Sequence, residues 1–378
     1  MAEGFNETYL TLPGHAGFNN LRYFFFLMFL TVYIFISFTD SLIVFLICSQ
    51  RSLHKPMYVF IAALLLNSLT CSTAIYPKLL SDFLSERPVV SRSACLCQAF
   101  VVYFLGGSGF MLLSVMAFDR YVSICEPLRY ATLVSPSAVA ALLLLAWLLP
   151  AGLVAGAAVL AGRLRLCGFR LDRLYCNIYS FVNLSCGSTL VNNVYGLLCN
   201  AMIVFLSIVF VVFSYSRILV VCLQQSGSFR GKAMRTCLPH LLVFINYSVC
   251  TVFELVNNRL QADAEVAVPG VMSVLMVIIT SLFNPVVYGL KTQEISKRDV
   301  DSAEVRQAIN TGDWFATVDL KNAYFLSPIW KGHWRFLTFA FEGKTYEFCV
   351  VLFGFSLAPH TFIQCMDAVL AQEGPKGS

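Results

Sequence analysis

The sequence predicts an all-α membrane protein, a bundle of seven membrane-spanning helices followed by a shorter segment of a different kind. Of the 378 residues, 58% are hydrophobic and 12% are charged, and the mean hydropathy is +0.73. An ordinary soluble protein carries about 25% charged residues, so a soluble globular fold is excluded. The apolar residues form seven long runs, and the composition changes near residue 296. The small net charge of +5 gives no reason by itself to expect nucleic-acid binding.

Each of the seven apolar runs is long enough to cross a bilayer. A hydrocarbon core about 30 Å thick needs roughly 20 apolar residues in a helix. Backbone polar groups in lipid must find their partners within the protein, which favours helices over isolated strands. Residues 1–22 are polar and precede the membrane domain, which we place at 23–295. The predicted helices are 23–48, 57–84, 94–124, 138–161, 193–222, 234–257 and 268–290.

The distribution of Lys and Arg in the short loops predicts the orientation of the bundle. Cytoplasmic loops carry an excess of these residues. If the N-terminus lies outside, the loops that face the cytoplasm in this sequence show such an excess. The outer loop after the fourth helix is an exception, because it carries four arginines. The predicted cytoplasmic residues are Arg51, Lys55, Arg129, Arg230, Lys232, Arg235, Lys291, Lys297 and Arg298, and the exceptions are Arg163, Arg165, Arg170 and Arg173.

Four cysteines fall on the predicted outer face. Cys95 opens the third helix, and Cys167, Cys176 and Cys186 lie in the outer loop after the fourth helix. Thiols on an exported face meet an oxidising compartment and can pair. The spacing alone does not give the connectivity.

Two glycosylation sequons also lie on the predicted outer face. They begin at Asn6 (Asn-Glu-Thr) and at Asn183 (Asn-Leu-Ser), and such sites are modified when they are exposed on secreted surfaces. A third sequon begins at Asn246. It falls within a predicted membrane helix, so we expect it to be unmodified.

A charged pair, Asp119–Arg120, closes the third apolar run within the string MAFDRYVSIC at 116–125. Charges at membrane depth are costly unless they reach the interface or pair, and they usually mark a functional site. The alternative is a stop-transfer flank, in which any basic residue would serve. The pair is therefore a candidate functional site.

The chain beyond residue 296 resembles part of a soluble α/β protein in composition. We place a junction at 296–308 and a separate cytoplasmic fragment at 309–378. Strand-like runs rich in aromatic and β-branched residues occur within 315–353, and no run in this part is long enough to span a bilayer.

A set of motifs occurs in order along the membrane domain, each at a predicted cytoplasmic helix end. They are PMYVF (56–60), MAFDRYVSIC (116–125), SYSRI (214–218), KAMRTCLPHL (232–241) and NPVVYGLKTQEI (284–295). Together they resemble the odorant receptors, which are rhodopsin-like G-protein-coupled receptors. The string YPKLLSDFLSE (76–86) is most similar to the fish branch of that family.

The resemblance implies a plasma-membrane receptor that passes binding of an extracellular odorant to a heterotrimeric G protein of the cyclic-AMP-raising class. It implies a short amphipathic eighth helix over GLKTQEI, and neither a cofactor, nor enzymatic activity, nor a nucleic-acid partner. It pairs Cys95 with Cys176 and Cys167 with Cys186. It assigns G-protein coupling and the activation switch to Asp119, Arg120, Tyr121, Asn284, Pro285 and Tyr288.

In the family, Arg120 contacts the G protein and is held by Asp119 at rest. Pro285 removes a backbone donor and should bend the last helix. The basic start of the sixth helix offers no acidic partner for Arg120, so we expect Asp119 alone to restrain it. The pocket is expected among the third, fifth, sixth and seventh helices, with Gly106, Ser108 and Tyr195 as candidates.

The sequence departs from the family pattern in the first two helices. Asp40 stands where Asn is usual, and Asn67-Ser68 stands where most members have Asp. Three alternatives remain: a carboxylate has moved between the helices, an internal sodium-type site is absent, or this is a tolerated polar exchange.

Residues 309–371 resemble a retrotransposon reverse transcriptase, through FATVDLKNAYF (315–325), FGFSLAPHTF (353–362) and MDAVL (366–370). Asp319 matches a metal-binding carboxylate of that polymerase family. Two-metal catalysis needs further carboxylates, and the sequence contains no Asp-Asp pair. Asp319 is thus an isolated ligand and no metal site is expected. The alternative for the whole chain is a non-signalling chimera of a receptor gene and a mobile element, its polymerase part inactive.

Overall fold

The computed structural model describes residues 9–12, 21–50, 53–171, 173–224, 227–260, 278–285, 287–288, 338–341 and 344–347. Contacts between backbones divide the chain into two units, residues 1–302 and 303–378. The division falls inside the predicted junction at 296–308.

Six helices of the first unit are long and apolar enough to cross a membrane, within the part of the chain that the structure describes. They confirm the first six predicted spans. The seventh is described only at 278–285 and 287–288, where it is helical, and we call these residues the C-terminal helical segment. The six are α1 (Arg22–Ser49), α2 (Pro56–Leu84), α3 (Arg92–Cys125), α5 (Pro136–Gly162), the combined span Leu190–Gln224, and α9 (Gly227–Leu260).

Shorter elements complete the first unit. The 3₁₀ turn Pro127–Arg129 and α4 (Tyr130–Leu133) follow α3, and α6 (Ile178–Val182) lies in the loop after α5. The combined span consists of α7 (Leu190–Asn200), a π-helical turn (Ala201–Phe205) and α8 (Leu206–Gln224).

Local sequence accounts for several helix starts. The Ser91 hydroxyl accepts a hydrogen bond from the Ala94 amide at 3.2 Å, and Ser135 does the same for Ala138 at 3.3 Å. Such N-caps satisfy amides that have no partner inside the helix. Pro56 occupies the first turn of α2, where its missing N–H costs nothing.

The helix α3 is the centre of the bundle. It packs against α2, α5, α8 and α9. Many of its buried residues, including Phe110, Leu113 and Met116, belong to the largest hydrophobic cluster, together with Phe244 of α9. Large apolar side chains of the outer helices point away from the core instead. Phe38, Phe45, Leu148 and Phe205 are more than 60% exposed, as expected for surfaces that face lipid.

The N-terminal residues are tied to the bundle by a small sheet. β1 (Tyr9–Thr11) pairs antiparallel with β2 (Val89–Ser91), the strand just before α3. Thr11 also forms a bridge with Arg170 in the loop after α5. Sequence patterns did not predict this sheet.

In the second unit, β3 (Thr338–Phe341) and β4 (Lys344–Glu347) form an antiparallel hairpin. They coincide with two of the strand-like runs predicted within 315–353. Asp319, the remaining polymerase-like motifs and the predicted eighth helix lie outside the described residues.

Candidate functional site

The helix α3 connects two ends of the bundle. At 34 residues and 1.5 Å per residue, it is about 50 Å long. Cys95 lies in its first turn and Arg120 in its last turns. We call these ends the disulfide end and the Arg120 end.

Two disulfides hold the loop after α5 at the disulfide end. Cys95 is bonded to Cys176, with Cα atoms 5.3 Å apart, and Cys167 is bonded to Cys186, with Cα atoms 5.2 Å apart. The first bond joins the loop to α3 and the second closes the loop on itself. These are the pairs that the family resemblance implies.

The loop is packed as a small core rather than left open. Leu10, Leu12, Cys176 and Phe181 are buried in one hydrophobic cluster. The side-chain oxygen of Gln98 on α3 accepts a hydrogen bond from the Cys176 amide at 3.1 Å. The loop is therefore fixed in place above the helices.

Beneath the loop lies a cavity of about 270 Å³. Its walls come from α3, α5, α6, α7, the π-helical turn, α9 and Thr280 of the C-terminal helical segment. Gly106 lines it as predicted, whereas Ser108 and Tyr195 are not among the lining residues. The Tyr195 hydroxyl donates to the Leu153 carbonyl at 3.1 Å, and the ring lies where a Cβ on residue 156 would clash.

The cavity lining is mainly apolar, with a few polar groups. Tyr103 and Tyr175 contribute hydroxyls, Asn192, Asn193 and Asn200 contribute amides, and Glu254 is the one charged side chain among the described lining residues. Burial raises the pKa of Tyr175 well above its usual value, and the negative charge of Glu254 adds to this. The Tyr175 hydroxyl therefore stays neutral at physiological pH.

At the Arg120 end, the Asp119 carboxylate holds two partners. One oxygen accepts from Arg120, whose Nε lies at 3.0 Å and whose Nη2 completes the ion pair. The other accepts from the Tyr130 hydroxyl at 2.7 Å. The Asp119 side chain is 1% exposed and that of Arg120 is 15% exposed. Burial, and then this hydrogen bond, raise the pKa of Tyr130.

A second polar contact, through His240, links three helices near the same end. Leu113 of α3 presents a carbonyl 2.9 Å from His240 Nε2. Because a carbonyl only accepts, Nε2 is the donor, and Nδ1 forms a hydrogen bond with the Tyr215 hydroxyl of α8. His240, on α9, is 3% exposed. It thus ties α9 to both neighbouring helices.

The chain is similar to known proteins over most of its length. A sequence model of the family described as "Olfactory receptor" matches residues 29–303. The chain belongs to the olfactory receptor family. Human olfactory receptor 11A1 is 34% identical over 297 residues, which cover 77% of this chain and 92% of that protein. Human olfactory receptors 4K3 and 51E2 are 32% and 31% identical, covering 76% and 78% of this chain and 90% and 92% of theirs.

This membership establishes a rhodopsin-like G-protein-coupled receptor with a multi-pass helical membrane domain. It belongs to a family of signalling receptors rather than enzymes. The family match ends at residue 303. It gives no support to the reverse-transcriptase resemblance of 309–371, and the comparisons do not support the alternative of a non-signalling chimera.

The other residues predicted to form the activation switch are placed in the helical bundle as follows. Tyr121 packs with Cys222 of α8 and Cys237 of α9. Tyr288 lies in the large cluster around α3. Asn284 is fully buried, and its amide donates to the Tyr247 hydroxyl at 3.4 Å. Pro285, next to it, is buried.

The three residues at the positions that depart from the family pattern are all buried. Asp40 on α1 is 0% exposed, and Asn67 and Ser68 on α2 are 4% and 3% exposed. The Ser68 hydroxyl is the polar neighbour of the Asp40 carboxyl, although the two groups are not in well-formed hydrogen-bond geometry.

Two of the three glycosylation candidates lie in the described part of the chain. Asn183 is exposed at the disulfide end, just after α6. Asn246 lies within α9. Asn6 is outside the described residues.

Sequence reasoning missed Tyr130 and His240 as parts of the Arg120 end. His240 lies within the KAMRTCLPHL motif, and Tyr130 follows the charged pair by 11 positions. A polar ring inside an apolar helix was the available signal for His240. Nothing in the local sequence marked Tyr130 as the partner of Asp119.

Proposed function

We propose that this olfactory receptor transmits binding of an extracellular odorant to a heterotrimeric G protein of the cyclic-AMP-raising class. The odorant enters the cavity at the disulfide end, and the G protein binds at the Arg120 end. The receptor lies in the plasma membrane with its N-terminus outside and its C-terminus in the cytoplasm. The observation that supports the proposal most directly is that the buried Asp119 carboxylate accepts hydrogen bonds from both Arg120 and Tyr130.

The geometry supports this orientation. The disulfides and the exposed Asn183 share one end of α3, and both features suit an oxidising, glycosylating compartment. Arg129 follows α3 at the other end, with a 68% exposed side chain. A basic loop there suits the cytoplasmic face.

The contacts of Asp119 with Arg120 and Tyr130 define a resting state of the receptor, and a G protein can shift the equilibrium away from it. Arg120 is engaged by Asp119, so its guanidinium has to leave this partner before it can contact another protein. A ligand drives such a change only if it binds the two states with different affinity. We propose that Tyr121, Asn284, Pro285 and Tyr288 pass the change from the cavity to Arg120, because Tyr288 shares the core cluster of α3 and Tyr121 packs against α8 and α9.

We propose that the receptor is of the fish type. We also propose that its C-terminal part, residues 309–378, is an inactive fragment similar to a reverse transcriptase. The hairpin β3–β4 is consistent with a piece of an α/β protein. Asp319 has no companion Asp-Asp pair in the sequence, so the fragment is expected neither to hold catalytic metals nor to act on nucleic acid.

The proposal is tested by Arg120→Ala in cells that carry a cyclic-AMP reporter, with surface staining to normalise expression. We expect odorant-dependent cyclic AMP to be lost while surface level is kept. Arg163→Ala is the matched control, because it removes an exposed arginine at the opposite end of the bundle. An Arg120→Ala receptor that responds like the wild type would refute the proposed role.

A further inference from the structure

We infer that the N-terminal strand β1 closes the cavity at the disulfide end, because Leu10 and Leu12 hold the roof of that cavity in place. We call the lining residues from the loop after α5 the roof; they are Tyr175, Ile178, Tyr179 and Val182. The inference rests on the proposed function, in which this cavity receives the odorant. It adds two positioning residues that are not among the described lining residues.

The strand β1 is bonded along both of its edges. On one edge it pairs with β2, the strand that leads into α3. On the other edge, the Thr11 amide donates to the Phe169 carbonyl at 2.8 Å, and the Leu171 amide donates to the Thr11 carbonyl at 2.9 Å. Because Phe169 and Leu171 belong to the loop after α5, β1 joins this loop to the start of α3 through backbone hydrogen bonds.

The side chains of β1 alternate between solvent and core. Tyr9 is 47% exposed, whereas Leu10 and Leu12 are 0% and 1% exposed. Residues two apart in a strand share a face, so both leucines point inward. They belong to one hydrophobic cluster with Phe181 and Val182 of α6. The inward face of β1 is therefore part of the packing that holds α6.

This cluster and the cavity have side chains of α6 in common. Val182 is 3% exposed, belongs to the cluster and lines the cavity. Ile178 also lines the cavity and packs against the same cluster. The disulfide at Cys176 fixes the loop just before α6, but α6 itself contains no cysteine and is held by noncovalent contacts. A loss of packing at Leu10 or Leu12 would therefore reach the roof directly.

Local opening is the physical route by which the roof controls access to the cavity. A segment of a folded protein can open without global unfolding, and it opens more often when it has less packing to lose. At five residues, α6 is too short to be stable by itself, so its position depends on its neighbours. Truncating a buried leucine removes such packing. We expect Leu10→Ala to raise the open fraction of the roof about ten- to hundredfold.

The test measures access to the cavity without any odorant. The purified full-length receptor in lipid nanodiscs is treated with trimethylammonioethyl methanethiosulfonate, a cation that does not cross membranes. The reagent converts a thiol to a mixed disulfide and releases methanesulfinate. Cys199 and Cys250 carry free thiols and line the cavity, and their labelling is followed by mass spectrometry of the peptides. Leu10→Ala should speed this labelling about ten- to hundredfold.

Cys222 is the internal reference, because it is a free thiol that is 0% exposed and packs with Tyr121 near the Arg120 end. Global destabilisation would speed the labelling of Cys222 together with that of the cavity thiols, whereas opening of the roof leaves Cys222 unchanged. Tyr9→Ala is the matched control, because it truncates the exposed side chain of the same strand. We expect it to label like the wild type.

The inference is overturned if Leu10→Ala and wild type label Cys199 and Cys250 at the same rate. It is also overturned if Cys222 gains as much as the cavity thiols, or if Tyr9→Ala labels as fast as Leu10→Ala. Leu10→Val is a smaller truncation and should give the same change at a smaller size. It decides the question if Leu10→Ala does not fold.

The cyclic-AMP reporter separates this inference from the proposed function, because the labelling needs neither an odorant nor a G protein. Faster labelling in Leu10→Ala, beside a wild-type receptor that answers no odorant, would keep the role of β1 and contradict the signalling proposal. Unchanged labelling beside a normal odorant response would overturn the role of β1 alone.

Discussion

Asp119 and Asp40 are two buried carboxylates in very different surroundings. Asp119 accepts hydrogen bonds from Arg120 and Tyr130, so its charge is compensated. Asp40 has the Ser68 hydroxyl as its polar neighbour, without well-formed hydrogen-bond geometry. A carboxyl buried with so little compensation costs free energy, and we therefore expect Asp40 to lower the stability of this receptor.

At Asp40 we predict that Asp40→Asn stabilises the receptor by about 1–3 kcal/mol, because the change removes an ionisable group from the core and keeps the shape. The measurement is the thermal midpoint of the purified receptor in nanodiscs. Asn67→Asp should lower the midpoint, since it adds a carboxylate at a site that is 4% exposed. A lower midpoint for Asp40→Asn would mean that the carboxylate holds a favourable cation or water.

The helices α3, α8 and α9 are joined at the Arg120 end by one side chain, His240. If α9 moves away from α3 during activation, the hydrogen bond from His240 to Leu113 has to break. That bond favours the resting arrangement by about 0.5–1.5 kcal/mol.

We predict that His240→Phe raises the ligand-independent cyclic-AMP level about two- to tenfold, because it removes both hydrogen bonds and keeps a ring of similar size. The assay is basal reporter activity per receptor at the cell surface. His54→Phe is the control, because His54 is exposed. An unchanged or lower basal level in His240→Phe would count against His240 as a restraint.

Element positions were predictable wherever the physical cause was local. The six described spans follow from the length and apolarity of the runs, and Ser91 and Ser135 mark two helix starts through their caps. The pairing of β1 with β2 and the contact between His240 and Leu113 join residues far apart in the chain. Nothing in a local pattern encodes such contacts.

Only part of the candidate site could be predicted from the sequence. Asp119 and Arg120 stand out because a charged pair is unusual at membrane depth. The cavity could not be predicted from a local sequence pattern, because its walls come from segments far apart in the chain, including α5, the loop after it and the π-helical turn. Whether Glu254 lines a cavity depends on where α9 packs, which the sequence of α9 alone does not determine.

At the scale of the whole molecule, signalling belongs to the first unit. The family match covers residues 29–303, and the first unit ends at 302. The chain also covers about nine-tenths of its human relatives. A receptor of family length is therefore present before the second unit begins.

The most direct test of the central claim is ligand-dependent nucleotide exchange on a purified stimulatory G protein by the full-length receptor in nanodiscs. We predict that an odorant that raises cyclic AMP in the reporter cells accelerates exchange at least about tenfold. This is the effect expected when a ligand shifts a two-state equilibrium by about 1.4 kcal/mol. Arg120→Ala should abolish the acceleration without changing ligand binding. Exchange that stays at its basal rate while the ligand is bound would contradict the account.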